Sequence, residues 1–165
     1  MNAIRSAPEL YAHAIAIERE AGERYAEFAR LMADKGNEGV AAVFARLAAL
    51  EAEHLAVLLR RTDGVALPAP PDLNYRWLDR GAPETAAHEF VYRLMTPHAA
   101  LTIALAAEQR ARAFFESVHR TADDPALRAL AQDMEMEEQE HIAMVERALE
   151  LAPEQFLHSM LIFAK

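Results

Sequence analysis

The chain has 165 residues, no cysteine and a net charge of −9, with 53% hydrophobic and 26% charged residues. This length and composition fit a single domain with its own core and exclude a disordered chain. The lack of cysteine excludes disulfides, thiol catalysis, sulfur-ligated zinc and iron–sulfur centres, and the acidic charge argues against nucleic-acid binding. With no apolar leader and no run long enough for a membrane span, we expect a cytoplasmic protein without a membrane partner.

The low glycine content and the abundance of Ala, Glu, Leu and Arg predict a mostly helical chain. Ser6 and Glu9 have the spacing of a capping box, and the helical pattern that follows predicts a first helix over 8–34. Asn37 can cap a second helix over 38–61. Because only a few residues separate these two helices, we expect them to lie antiparallel.

The second half of the chain repeats this organisation. Thr96 and Asp124 each precede a proline, which is the residue pair typical of an N-cap followed by the first helical position. These signals predict helices over 97–121 and 125–151. The second half is therefore also expected to form a helical hairpin.

A segment rich in proline and aromatic residues separates the two hairpins. We interpret 62–96 as a long crossover that contains a short helix at about 84–95, and we predict a short apolar helix at 154–163. The whole chain, 1–165, is then one all-α domain, a four-helix bundle of two antiparallel hairpins with a long crossover between helices two and three. Whether the crossover exchanges hairpins between subunits stays open at this point.

Both hairpins carry the same motif in their second helix. Glu51 and His54 lie in the pattern Glu-x-Glu-His-aliphatic-Ala-apolar-aliphatic, and Glu138 and His141 lie in the same pattern. A third Glu-x-x-His, at 116–119, lacks these flanking residues and fits the number expected by chance. The repeated context, rather than the residue pair alone, therefore carries the signal. Side chains three residues apart lie on one helix face, so each pair can reach one metal ion.

The first helix of each hairpin contributes one further glutamate, Glu18 or Glu108, at a depth that matches the motif. Four buried carboxylates without cations would be very unfavourable, whereas two divalent ions balance their charge. Oxygen-rich ligation with one imidazole per ion favours iron, with manganese as an alternative. We therefore predict a centre of two metal ions with the ligands Glu18, Glu51, His54, Glu108, Glu138 and His141. Glu51 and Glu138 are the expected bridging residues.

The other polar residues near the motif are expected to have structural roles. We predict surface positions or local hydrogen bonds for four histidines, His13, His88, His98 and His158. Glu53 and Glu140 should face solvent, and His119 should lie at one end of the bundle. Glu135 can either contact a ligand or be exposed, and Tyr25 can hydrogen-bond a ligating carboxylate from the core.

Three segments, ERYAEFARLM, FARLAALEAEH and MTPHAALTIALAAEQRARAFFE, resemble the rubrerythrin-related family of the ferritin-like di-iron carboxylate superfamily. The resemblance covers nearly the whole chain. It implies a ferritin-like fold, a di-iron site with the six ligands named above, and reduction of peroxide or O₂ coupled to Fe²⁺ oxidation.

The sequence departs from rubrerythrins in two respects. Rubrerythrins carry a rubredoxin domain with four cysteines, and this chain has no cysteine, so the resemblance implies a separate electron-donor protein. Rubrerythrins also have an additional glutamate one helical turn after the ligand that corresponds to Glu108. Ala111 occupies that position here, so a simpler site of six ligands is expected.

Several alternative functions stay open from the sequence. An iron-storage or ferroxidase protein would share the ligand pattern, although Ala52 stands where bacterioferritins have a haem-binding methionine. A di-iron hydroxylase would need an apolar substrate channel. A metal-free helical module that binds a partner is a third possibility. If the function is rubrerythrin-like, we expect a homodimer or a small homo-oligomer.

Overall fold

The computed structural model describes residues 4–69 and 95–152. These residues form four helices, α1 (Ala7–Asp34), α2 (Glu38–Arg61), α3 (Pro97–Thr121) and α4 (Pro125–Leu151), which coincide with the predicted ranges to within one residue. None of the four has an apolar stretch long enough to cross a lipid bilayer. The predicted helices at 84–95 and 154–163 lie outside the described residues, apart from Met95, which is not helical.

Each helix begins at the capping residue that the sequence indicates. A side-chain oxygen accepts a first-turn backbone N–H at all four N-caps, which are Ser6, Asn37, Thr96 and Asp124. The Glu9 carboxylate reaches back to the backbone N–H of Arg5, at 2.7 Å, one residue before the cap. Gly36 and Gly64 follow the ends of α1 and α2 with φ of +72°, a conformation that glycine adopts without strain.

The helices pack as two hairpins, α1 against α2 and α3 against α4. Their buried faces form two apolar clusters. One contains Leu10, Ile17, Leu58, Phe115 and Met134, and the other contains Tyr25, Phe28, Phe44, Leu101 and Val145. On every helix a buried glutamate lies between the residues of the first cluster and those of the second. The fold therefore places a polar layer in the middle of an apolar bundle, as in ferritin-like proteins.

His13 corrects one of the sequence predictions. It is only 9% exposed, rather than at the surface, and its ring stacks on Phe114 with centroids 5.2 Å apart. Leu10 and Ile17 lie one turn away on either side and face the core, so the helix carries His13 inward with them. Burial lowers the pKa of His13, which favours the neutral ring. His98 has the predicted local contact, with Nδ1 3.3 Å from the carbonyl oxygen of Ala152, and His88 and His158 lie outside the described residues.

Candidate metal centre

The polar layer contains all six residues predicted to bind metal. Each helix contributes one glutamate, and all four, Glu18, Glu51, Glu108 and Glu138, are 2–3% exposed. His141 is equally buried, whereas His54 is only partly buried. Burial of four carboxylates at the middle of a core is unusual, because an ionised carboxylate loses its hydration there. The neighbouring glutamates of the motif, Glu53 and Glu140, are exposed as predicted.

One end of the layer is built around His141. Its Nδ1 lies 3.2 Å from Oε1 of Glu51 and 3.5 Å from Oε2 of Glu108. Oε2 of Glu138 is 3.8 Å away from the same nitrogen. Three carboxylates from three helices therefore converge on one imidazole nitrogen.

The other end is built around His54 and is more open. Nδ1 of His54 lies 3.7 Å from Oε2 of Glu18, and the imidazole ring stacks on that of His141 at a centroid distance of 5.3 Å. One carboxylate oxygen of Glu51 and one ring nitrogen each of His54 and His141 lie within 4.8 Å of one another. Glu51 therefore lies between the two ends of the layer, where a bridging residue is expected. Glu138, the other expected bridge, groups with Glu108 and His141 alone.

Tyr25 supports this layer from the neighbouring apolar cluster. Its hydroxyl donates a hydrogen bond to Oε1 of Glu108, as the sequence allowed, and its ring packs on Phe44. Burial raises the pKa of Tyr25 well above the usual value, and the charge of Glu108 raises it further. Tyr25 therefore keeps its proton and acts as a donor to the carboxylate.

Burial and mutual repulsion determine the protonation of the carboxylates. Burial raises the pKa values of Glu51 and Glu138 well above the usual range, and neighbouring carboxylates raise them further. Burial also acts to raise the pKa of Glu108, but its contacts with His141, Glu138 and Tyr25 outweigh burial and lower it. For His141, the surrounding carboxylates outweigh burial and raise the pKa.

The residues fit a pair of divalent cations. Three inward-facing atoms, Oε2 of Glu18, Nδ1 of His54 and Nδ1 of His141, are buried and make no hydrogen bond to any other described residue. Unpaired buried donors and acceptors are costly, and a metal ion would satisfy all three atoms. Two divalent ions also balance four carboxylates, and oxygen ligands with one imidazole at each end suit iron or manganese.

A narrow cleft between α1 and α3 reaches this layer. Its walls include Ile17, Ala21 and Ala111, and Tyr25 and Glu108 also line it. The small side chain of Ala111 leaves this space open, where a glutamate would fill it. The cavity volume is about 30 Å³, which is room for about two water molecules.

Two further glutamates of α4 lie near the layer. Glu135 contacts residues of α3 that lie outside the polar layer. Its Oε2 is 3.1 Å from Nδ1 of His119, and its Oε1 forms an ion pair with Nη2 of Arg112 at 3.6 Å. Glu137 was not singled out by sequence reasoning, yet its Oε2 lies 4.0 Å from Nδ1 of His54. Four glutamates occur between positions 135 and 140, and nothing in their spacing separates Glu137 from the exposed ones.

Replacement of Tyr25 by phenylalanine tests the hydrogen bond to Glu108. The change leaves a buried carboxylate oxygen without its donor, so we expect the affinity for divalent metal to fall by about 10–100-fold. Isothermal titration with Mn²⁺ measures the affinity. Tyr11→Phe, the same change at a half-buried position of α1, is the control and should leave the affinity unchanged. Equal affinities for both variants would show that the hydroxyl does not position Glu108.

The raised carboxylate pKa values predict that metal affinity increases with pH. Glu51 and Glu138 keep their protons in the folded, metal-free chain at pH values where the unfolded chain has lost them, above about pH 4.5. A metal ion must displace these protons. For each displaced proton, the metal affinity should increase about tenfold per pH unit as long as the pH is below the pKa of that carboxyl group in the folded chain. Mn²⁺ titrations between about pH 5.5 and about pH 7.5 measure the slope. A slope of zero would contradict protonated ligands in the metal-free state.

The chain is similar to known proteins at two levels. The sequence model of the Rubrerythrin family matches residues 9–69. The crystal structure of an uncharacterized conserved protein from Magnetospirillum magnetotacticum MS-1 is similar with a TM-score of 0.80 and 30% sequence identity, and the match covers 92% of this chain and 99% of that one. No curated protein sequence matches the chain.

Proposed function

The chain belongs to the rubrerythrin-related family of the ferritin-like superfamily, and from that premise we propose that it is a di-iron oxidoreductase that reduces peroxide or O₂. The observation that carries this proposal is the buried layer of four carboxylates and two imidazoles, in which neither Nδ1 atom makes a hydrogen bond within the part of the chain that the structure describes. Iron bound there would supply one electron from each Fe²⁺, and the two electrons with two protons reduce hydrogen peroxide to two molecules of water. Manganese is the alternative metal.

The protein residues have distinct roles in this proposal. Glu18 and His54 would hold an ion at the open end, and Glu138 and His141 would hold an ion at the buried end, with Glu108 beside His141. Glu51 lies between the two histidines, so its carboxylate would be within reach of both ions. The four carboxylates balance the charge of the two ions, so the loaded layer is close to neutral within the apolar core.

The cleft beside Ala111 is the proposed entry for the oxidant. The exposed surface of its walls is mostly apolar, which suits a small oxidant such as peroxide or O₂. Tyr25 lines the cleft, and its raised pKa keeps the hydroxyl protonated as a hydrogen-bond donor to Glu108.

The proposed partners are peroxide or O₂ and a separate electron-donor protein, because the sequence contains no cysteine for a rubredoxin site. A homodimer or a small homo-oligomer is the proposed assembly. Native mass spectrometry separates this proposal from iron storage, because a storage cage would contain many subunits.

The activity is tested by comparing two oxidants. The protein is loaded with Fe²⁺ without oxygen and mixed in a stopped-flow instrument with equal concentrations of hydrogen peroxide or O₂. We expect both to oxidise the bound iron, and peroxide to do so faster. Rapid oxidation by O₂ together with slow reaction with peroxide would contradict the peroxidase function and favour a ferroxidase. Glu53→Gln, at an exposed position of α2, serves as the control and should react like the natural sequence.

A further inference from the structure

Glu137 differs from the other glutamates on the outer part of α4. Its side chain is 39% exposed, and it points towards the open end of the polar layer, with Oε2 4.0 Å from Nδ1 of His54. Its neighbour Glu138 faces the buried end, next to His141. Two successive residues of one helix thus approach opposite ends of the same layer.

A second observation at this end points to a ligand. Glu18 is 2% exposed, and its Oε2, which lies 3.7 Å from Nδ1 of His54, makes no hydrogen bond to residues 4–69 or 95–152. One ligand atom each from Glu18, His54 and Glu137 lie within 4.8 Å of one another. A buried oxygen that lacks a partner, next to an imidazole nitrogen and a second carboxylate, has the donor set of a divalent-cation site.

The two ends of the layer are unequal without Glu137. The His141 end has Glu108 and Glu138 in addition to the shared Glu51. At the His54 end, Glu18 is the only carboxylate besides Glu51 among the six predicted ligands. Glu137 would bring the number of carboxylates at the His54 end to that of the His141 end.

We propose that Glu137 is a seventh metal-binding residue, which together with Glu18 and His54 binds the more solvent-accessible of the two divalent ions. This inference rests on the metal centre of the proposed function and adds a ligand from α4 to it. The partial exposure of the Glu137 carboxylate lets it contact a hydrated cation before the ion enters the buried layer. Glu137 is thus expected to bind metal directly, rather than only to form an ion pair that orients His54.

The first experiment compares Glu137→Gln with Glu140→Gln in the full chain. Glu140 lies three residues later on the same helix and is exposed, which makes it a matched control. Anaerobic Fe²⁺ and Mn²⁺ titrations measure the number of ions bound and the affinity of each. We expect the natural sequence and Glu140→Gln to bind two ions per chain, and Glu137→Gln to bind one ion normally and the second at least about tenfold more weakly.

A crystal structure of the zinc-loaded natural protein separates direct ligation from an ion pair with His54. We expect a carboxylate oxygen of Glu137 at about 2.0–2.2 Å from one of the ions. Unchanged affinity for both ions in Glu137→Gln, or a Glu137 carboxylate that contacts only His54 in the loaded protein, would overturn the inference and leave the proposed function intact. Failure of the natural sequence to bind two ions would overturn the proposed function together with it.

Discussion

Glu51→Gln is expected to remove at least one metal ion per chain and, at the same time, to stabilise the metal-free protein. Glu51 lies between both histidines, so its carboxylate is the one that both ions are expected to share. Burial raises the pKa of this carboxylate, so above about pH 4.5 it destabilises the folded metal-free state relative to the unfolded chain. Glutamine stays neutral and avoids this penalty, so we expect the metal-free variant to have a higher free energy of unfolding at neutral pH.

The control for this substitution is Glu53→Gln, two residues later on the exposed face of α2. It should leave both metal content and stability unchanged, because a surface glutamate contributes little to either. Metal analysis and urea unfolding after chelation measure the two effects. The gain in stability should decrease as the pH is lowered towards about 4.5, because Glu51 is then protonated in both states. Two tightly bound ions in Glu51→Gln, or a metal-free variant less stable than the natural sequence, would contradict this account.

Removal of the metal should lower the thermal stability of the natural protein strongly. A ligand present at about 100 times its Kd stabilises the folded state by about 2.7 kcal/mol per site, and more at higher saturation. For two sites in a chain of this size, that corresponds to a decrease in Tm of about 10–20 °C on chelation. Calorimetry with and without a chelator measures the difference.

The same measurement on Glu51→Gln provides the comparison. We expect a much smaller decrease in Tm on chelation. The variant binds at least one ion fewer, and without the Glu51 carboxylate there is less repulsion among the buried carboxylates for a metal ion to offset. A natural protein whose Tm is the same with and without chelator would show that the carboxylate layer is stable without metal. That result would leave the burial of four carboxylates to be explained by protonation alone.

The four helices of the described chain were predictable because their boundaries depend on local chemistry. Ser6, Asn37, Thr96 and Asp124 satisfy first-turn N–H groups whatever the tertiary structure, and apolar residues at helical spacing show which face is buried. The all-α, ferritin-like fold followed from two such hairpins and is confirmed by the similar crystal structure. The predicted helices in the crossover and in the tail lie outside the described residues.

The candidate site was predictable where the two hairpins repeat the same pattern. Repetition distinguished Glu51 and His54 from the many other glutamates and histidines, and the structure brings them together with Glu138 and His141. Their role as metal ligands stays a prediction.

His13 and Glu137 were not predictable in this way, because each depends on contacts between helices. Stacking on Phe114 makes a buried position suitable for His13, and the approach of α4 to α2 brings Glu137 to His54. Neither contact can be recognised from the spacing of residues within a single helix.

The most direct test of the metal centre is an anaerobic titration of the metal-free protein with Fe²⁺, followed by the spectroscopic signature of the bound ions. The buried layer and its unpaired nitrogen atoms predict an end point of two iron ions per chain, with magnetic coupling between them. An end point of zero, or two ions without coupling, would contradict a dinuclear centre formed by Glu18, Glu51, His54, Glu108, Glu138 and His141.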